Sequence, residues 1–273
     1  MARNPLKNHV AQELSVALTA STQSQTTVTI PSYGADISSV EFDISVATTG
    51  TISGPNALST AIYNVSLETK DGKKILNNIN GNDIAMLTRI RSIGRTVTDP
   101  SVADAAATQF DLPLNIERSD QEVKLTVTLN TLAALATSGL TAATITLKVI
   151  FWYADATQKA VTEKIQKLHL SIASGDNNLS SQLPSQISVY NLAMRVTDET
   201  VYNYFGFTAD GNKELDNVTV NQLKGKDNAL LVSGHVTNQF VLPVASFYIS
   251  SATQFTCNTS STDTMDIFLI GPQ

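Results

Sequence analysis

The chain has 273 residues, a formal net charge of −6, 42% hydrophobic and only 15% charged residues. That length allows one large domain or two modest ones, with cores that need neither disulfides nor metals. The composition excludes a transmembrane bundle, a coiled coil and a charge-rich disordered chain, and the acidic balance argues against direct nucleic-acid binding.

The first residues, Met1 to Val10, hold Arg3, Lys7 and His9 and no acid. Residues 1–20 read as an N-terminal arm, either solvated or reaching a neighbouring subunit or an anionic membrane surface. Beyond it, period-two alternation dominates, as expected of half-buried strands. Gln25–Ile30 ends at Pro31, and Val40–Val46 puts Val40, Phe42, Ile44 and Val46 on one face. Ile62–Leu67 is followed by a turn at Asp71-Gly72. Asn82–Arg91 is the clearest helix, with Asn82 or Asp83 as N-cap, Ile84, Leu87 and Ile90 as its stripe, and Arg89 and Arg91 in its last turn. Phe110–Ile116 alternates despite Pro113, which predicts an edge strand. Val123–Leu129 is a clean strand, Leu132–Ala136 a single turn, and Thr144–Tyr153 a strand that ends fully apolar around Trp152.

Ala156–Leu168 carries Ala160, Val161, Ile165 and Leu168 at helical spacing and reads as a linker helix. The second half repeats the style of the first. Leu168–Ile172, Ile187–Val196, Val201–Phe207, Val218–Val220, Gln239–Val244, Phe247–Ile249, Gln254–Cys257 and Met265–Ile270 all read as strands. Asn64–Lys73 aligns without gaps to Asn217–Lys226, with four identities in ten positions. On that alignment the first half carries an excess of about 33 residues, which matches the segment 79–110 as a helical insertion. The organisation expected is an arm (1–20), a first β-unit (21–155, insertion about 79–110), a linker (156–168) and a second β-unit (169–273). Its fold class is all-β, two tandem jelly rolls or related sandwiches with a short helical insertion in the first.

Chemistry-bearing residues are scarce. Cys257 is the single cysteine, so neither an intrachain disulfide nor a cysteine metal cluster is available. Of the three histidines, His169 sits on a strand face opposite Leu168 and Leu170, and His235 follows Ser233-Gly234 in an order unlike a nucleophile elbow. Asp210, Asn212, Glu214 and Asp216 place oxygens at alternate positions, but Leu215 and Asn221 stand where a calcium loop needs Gly and Glu. They read as a turn, with a weak surface Ca²⁺ site as the alternative. Gly72-Lys73 and Gly225-Lys226 lack the phosphate-loop frame. No apolar run reaches the roughly 18 residues that span a bilayer, and no signal peptide is expected, which points to synthesis in a cytosol. The four Asn-x-Ser/Thr sequons (Asn64, Asn178, Asn217, Asn258) read as chance in a chain with 26 Ser, 33 Thr and 20 Asn. No cofactor is expected.

The succession Ile62-Tyr-Asn-Val-Ser-Leu67, then Asp71-Gly72, then Asn80-Gly-Asn-Asp-Ile-Ala-Met-Leu87 resembles the strand, turn and short helix of one viral group. That group is the double jelly-roll major capsid proteins of membrane-containing icosahedral viruses, among them corticovirus-like and Flavobacterium-phage-like bacteriophages. The resemblance implies a non-enzymatic virion protein made in the host cytoplasm and built as pseudo-hexameric homotrimers. Its implied partners are copies of itself, neighbouring capsomers, other capsid proteins and an internal membrane near the arm. A spike or fibre, or a tandem β-sandwich adhesin or carbohydrate-binding module, remain the other readings of the same residues.

Overall fold

A computed structural model of the chain describes residues 10–30, 35–92, 96–117, 122–154, 161–209, 212–231, 234–242 and 246–273, without the side chains of residues 10–12. It divides into two compact units, the first ending at Glu163 and the second beginning at Lys164.

The first unit contains β1 (Val10–Ala17), β2 (Ser24–Ile30), β3 (Ile37–Pro55), β4 (Ile62–Glu68), β5 (Lys74–Ile79), α1 (Gly81–Arg91), β6 (Ala107–Ile116), β7 (Val123–Leu129) and β8 (Ala136–Tyr153). Its strands form two antiparallel sets, ordered β1-β8-β3-β6 and β2-β7-β4-β5. Alternation sets the register. Phe42 lies opposite Phe110 on one neighbour and Val149 on the other, and all three are fully buried. In the second set Val65 faces Val127, and Leu67 faces Leu125. Each such side chain contributes roughly 1.5–3 kcal/mol by leaving water. A one-residue slip would move a whole row to the other face. Pro113 stands on β6, the last strand of its set, where a missing N–H costs little.

The second unit contains β9 (Glu163–Ile172), β10 (Gly175–Asn178), β11 (Ile187–Val189), β12 (Asn191–Val196), β13 (Tyr202–Ala209), β14 (Asn212–Thr219), α2 (Val220–Leu230), β15 (Gln239–Leu242), β16 (Phe247–Ile249), β17 (Gln254–Thr259) and β18 (Asp263–Pro272). Its two sets run β9-β18-β12-β15 and β10-β17-β13-β14, with β11 and β16 as an added two-stranded ribbon. Strand for strand this is the connection plan of the first unit, and in each the helix joins the fifth of the eight sheet strands to the sixth. Eight strands in two facing sheets connected this way make a jelly roll. The core of the second is aromatic. Phe205 stacks on Tyr202 at 5.0 Å, and Phe207 meets Phe247 edge-on at 4.8 Å.

Several expectations are corrected. Residues 10–17 are not arm but β1, paired with β8 from Val10↔Phe151 to Ala17↔Thr144. Leu14 and Val16, opposite Leu147 and Ile145, carry the alternation of this strand. Residues 163–168 are strand rather than linker helix, because the ladder of β9 outweighs the helical spacing of Ile165 and Leu168. Residues 156–160 lie outside the described residues. The cap of α1 is Asn80, two residues before the nearer candidate. The Asp83 amide donates to Asn80 Oδ1 at 2.9 Å and the Asn80 amide to Asp83 Oδ2 at 3.0 Å, a capping box. The expected strand at Val218–Val220 stops at Thr219, which caps α2 through a second box with Gln222. The gap-free alignment therefore fails, since Gly72 closes a turn at φ +80° while Gly225 lies inside α2. The counterpart of β4–β5–α1 is β13–β14–α2. A helix is thus common to both units, and extra length in the first sits partly in β3, with 19 residues against 6 in β12.

The two helices differ in tolerance for a methyl group. A Cβ on Gly81 would sit 1.9 Å from the Ser59 carbonyl oxygen, whereas Gly225 has nothing within 4 Å. Gly81→Ala should destabilise by about 1–3 kcal/mol through overpacking. Gly225→Ala should stabilise by about 0.5–1 kcal/mol. Urea midpoints of the two variants check both signs.

Candidate functional site

Buried charge in the described residues gathers into a few closed clusters. In the first unit, Arg91 at the end of α1 donates to both oxygens of Glu163, at 2.8 and 2.9 Å, and the Asn115 amide donates to the same carboxylate. On the β3-β8-β6 surface, the Trp152 indole N–H donates to Glu41 at 2.7 Å, and the Gln109 amide donates to its other oxygen. Trp152 is therefore tied to a neighbouring strand rather than presented as a stacking platform.

In the second unit, Asp266 on β18 meets two cations and a histidine from its two neighbouring strands. Arg195 Nη2 lies 2.6 Å away, Lys167 Nζ 3.2 Å, and His169 Nδ1 2.7 Å. Burial works to raise the Asp266 pKa. Hydrogen bonds from His169 and Arg195, with the charges of Lys167 and Arg195, outweigh it and hold the carboxyl below its usual range. His169 lies on an outer strand face as the sequence implies, its side chain 65% exposed. Its partner Asp266 is 97 residues away, and no local signal foretold it. An open groove of about 620 Å³ is lined by Ser171, Ile172, Ala173, Thr197, Thr262, Asp263 and Thr264. Tyr202 is buried, and burial together with the Asp263 carboxylate pushes its phenol far up.

The second cluster surrounds His235. Its Nε2 lies 3.0 Å from Glu199 and its Nδ1 3.1 Å from Asp227. Both ring nitrogens are engaged by carboxylates, so neither is left to activate a nucleophile. Cys257 is buried, and burial pushes its thiol up to about 12, which removes thiolate chemistry near neutrality. The arrangement suits structure better than catalysis.

Of the residues singled out for a cation, Asn212, Glu214 and Asp216 stand on β14. Alternate strand residues are about 6.5–7 Å apart and do not converge on one ion. Asp216 instead pairs with Lys213 at 3.2 Å. Asp210 lies outside the described residues, as do Arg3, Lys7 and His9. Among the described residues no group of three or more acidic, histidine or cysteine side chains is placed to hold a metal. No helix among them is long and apolar enough to cross a membrane.

Aspartate 266 sets an acid dependence. Its folded pKa is depressed, so its stabilisation is present above the ordinary carboxylate pKa of about 3.9 and is lost as pH falls through the lowered value. Asp266→Asn should cost about 3 kcal/mol at neutral pH by removing the carboxylate that Arg195 and Lys167 share. It should also flatten the fall of the urea midpoint below pH 4 relative to the parent chain.

No family model matches the chain, and no curated protein matches it in sequence. Solved structures do match its fold. One is a chain in the atomic structure of Sulfolobus Turreted Icosahedral Virus, 9% identical with a TM-score of 0.69, covering 96% of this chain and 90% of that one. Another is PBCV-1 VP54, fitted into a reconstruction of the virophage Sputnik, 12% identical with a TM-score of 0.61 over 99% and 95%. A third is the major capsid protein P2 of bacteriophage PM2, 13% identical with a TM-score of 0.57 over 95% and 98%. At these identities the likeness is one of fold: the chain has the double jelly-roll fold of viral major capsid proteins.

Proposed function

We propose that the chain is the major capsid protein of an icosahedral virus and acts by self-association rather than catalysis. The observation that carries this reading is the repetition of one eight-strand plan in both units of a single chain. A homotrimer of such a chain presents six jelly rolls, which gives a pseudo-hexameric building block from one gene product. The likeness to the PM2 major capsid protein, spanning 95% of this chain and 98% of that protein, supports the same role. A structural rather than enzymatic role is supported by the likeness in fold to viral major capsid proteins.

In this reading the partners are further copies of the chain, neighbouring capsomers and other capsid proteins. Residues 1–9, with Arg3, Lys7 and His9, reach a neighbouring subunit or an internal membrane. The location is the virion, after synthesis in the host cytoplasm.

The native mass tests the proposal. Light scattering of the purified chain should give three times 29.2 kDa, with each pairwise interface burying more than about 2,000 Å². Deleting residues 1–9 should reduce higher assembly or binding to anionic vesicles while leaving both jelly rolls folded. A monodisperse monomer at high concentration, unchanged by the deletion, would overturn the capsid reading.

A further inference from the structure

Strand β2 is the last strand of its set. Among the described residues it pairs with β7 alone, from Ser24↔Leu129 to Ile30↔Val123, with no shift of register. Its other edge therefore offers a row of backbone N–H and C=O groups to a further strand. Folded sheets blunt such edges with charge, proline, bulges or short length. The other strands that end a set follow this rule. Glu13 stands on β1, Lys74 on β5, Asp111 on β6, Lys167 on β9 and Lys213 on β14, and β10 and β15 have four residues each. Strand β2 does not follow it. Its seven residues, Ser-Gln-Thr-Thr-Val-Thr-Ile, hold no charge and no proline. The neutral run around it extends from Leu14 to Ala35. Lys124, opposite Thr29 on β7, is occupied by Glu68 at 3.4 Å.

Burial also stops short at this edge. Leu125 and Leu129 of β7 are 2% exposed and Val127 1%. Their partners in the same row, Val28, Ser24 and Thr26, are only half-buried. On the opposite face Gln25, Thr27 and Thr29 are exposed. A further strand would flank both rows and take up the free backbone groups.

The strand that fits this edge is a second β2. Paired antiparallel about a twofold axis at Thr27, Thr26 faces Val28 and Gln25 faces Thr29, combinations that suit a sheet, and no like charges meet. Roughly six to eight backbone hydrogen bonds form in such a pair. The chain carries a net charge of −6, so copies meet at least electrostatic cost through a neutral strand.

We propose that the free edge of β2 is a docking edge for β2 of a second copy of this chain, joined across a twofold axis. A twofold contact closes a pair and not a ring of three, so in the shell it joins one trimer to the next. That placement rests on the capsid reading, whereas the strand pairing does not.

Sedimentation velocity of the full chain over a wide concentration range tests the contact, with two single variants at the axis. The Thr27 side chain is exposed, so Thr27→Lys and Thr27→Glu should leave the thermal midpoint nearly unchanged. Each should weaken the concentration-dependent association at least about tenfold, because like charges then meet at the axis. An equimolar mixture of the two should restore it, a result that mere loss of stability does not produce. If neither variant folds, amide exchange of the parent chain decides. Protection over residues 24–30 should then rise with protein concentration, while protection over residues 239–242 stays constant. A mass that steps from monomer to dimer would support the contact and overturn the trimer. A trimer whose mass does not rise with concentration would overturn the contact and leave the trimer standing. Variants that associate like the parent, or a mixture that fails to restore association, would also overturn it.

Discussion

Both units rest on one constraint: a strand has two faces, and a sheet that buries one row must find a second sheet to bury it against. In β6 and β7 every second residue is buried, and the intervening ones, most of them polar, are at least partly accessible. The same holds in the second unit, where Met265, Ile267 and Leu269 of β18 point into a cluster shared with Phe205, Phe207 and Phe255 of the other sheet. The remaining arrangement follows from closing two such sheets with one chain. The connections cross from sheet to sheet, and each helix occupies the same crossing. Edge strands carry what discourages further pairing: Pro113 on β6, and Lys213, Glu214 and Asp216 on β14.

That constraint also explains what the sequence made readable. Strands that alternate cleanly, such as Val40–Val46 and Val123–Leu129, announce themselves because the period of burial is written in the residues. Extensions of β3 and β8 across residues 47–55 and 136–143 do not, since threonine, glycine, serine and alanine there lie mostly exposed on either face. Helix α2 was hidden by Val218 and Val220, which look like strand, and by Gly225 within it. Its one available signal was the box of Thr219 with Gln222. Strand β1 and the residue after it offer only Leu14, Val16 and Leu18 as an alternating row, with Ser15 and Ala17 between them, and all but Leu18 remain partly or fully accessible.

The polar clusters were legible only as an inventory. Asp266 meets His169 across 97 residues and Arg195 across 71, and Glu199 meets His235 across 36. Such pairs are set by strand order, which composition and spacing do not determine. Their chemistry is nonetheless coherent. Every carboxylate in the two clusters of the second unit is matched by a cation or by N–H donors, as buried charge requires. Groups so fully matched hold sheets and helix together.

The central claim is that two jelly rolls in one chain serve a trimeric shell subunit. Electron microscopy of the purified, concentrated chain tests it most directly. Averages should show compact particles of pseudo-sixfold outline that resolve into three copies with two β-units each, alone or in curved arrays. Single two-lobed particles at every concentration, or open linear fibres, would contradict it.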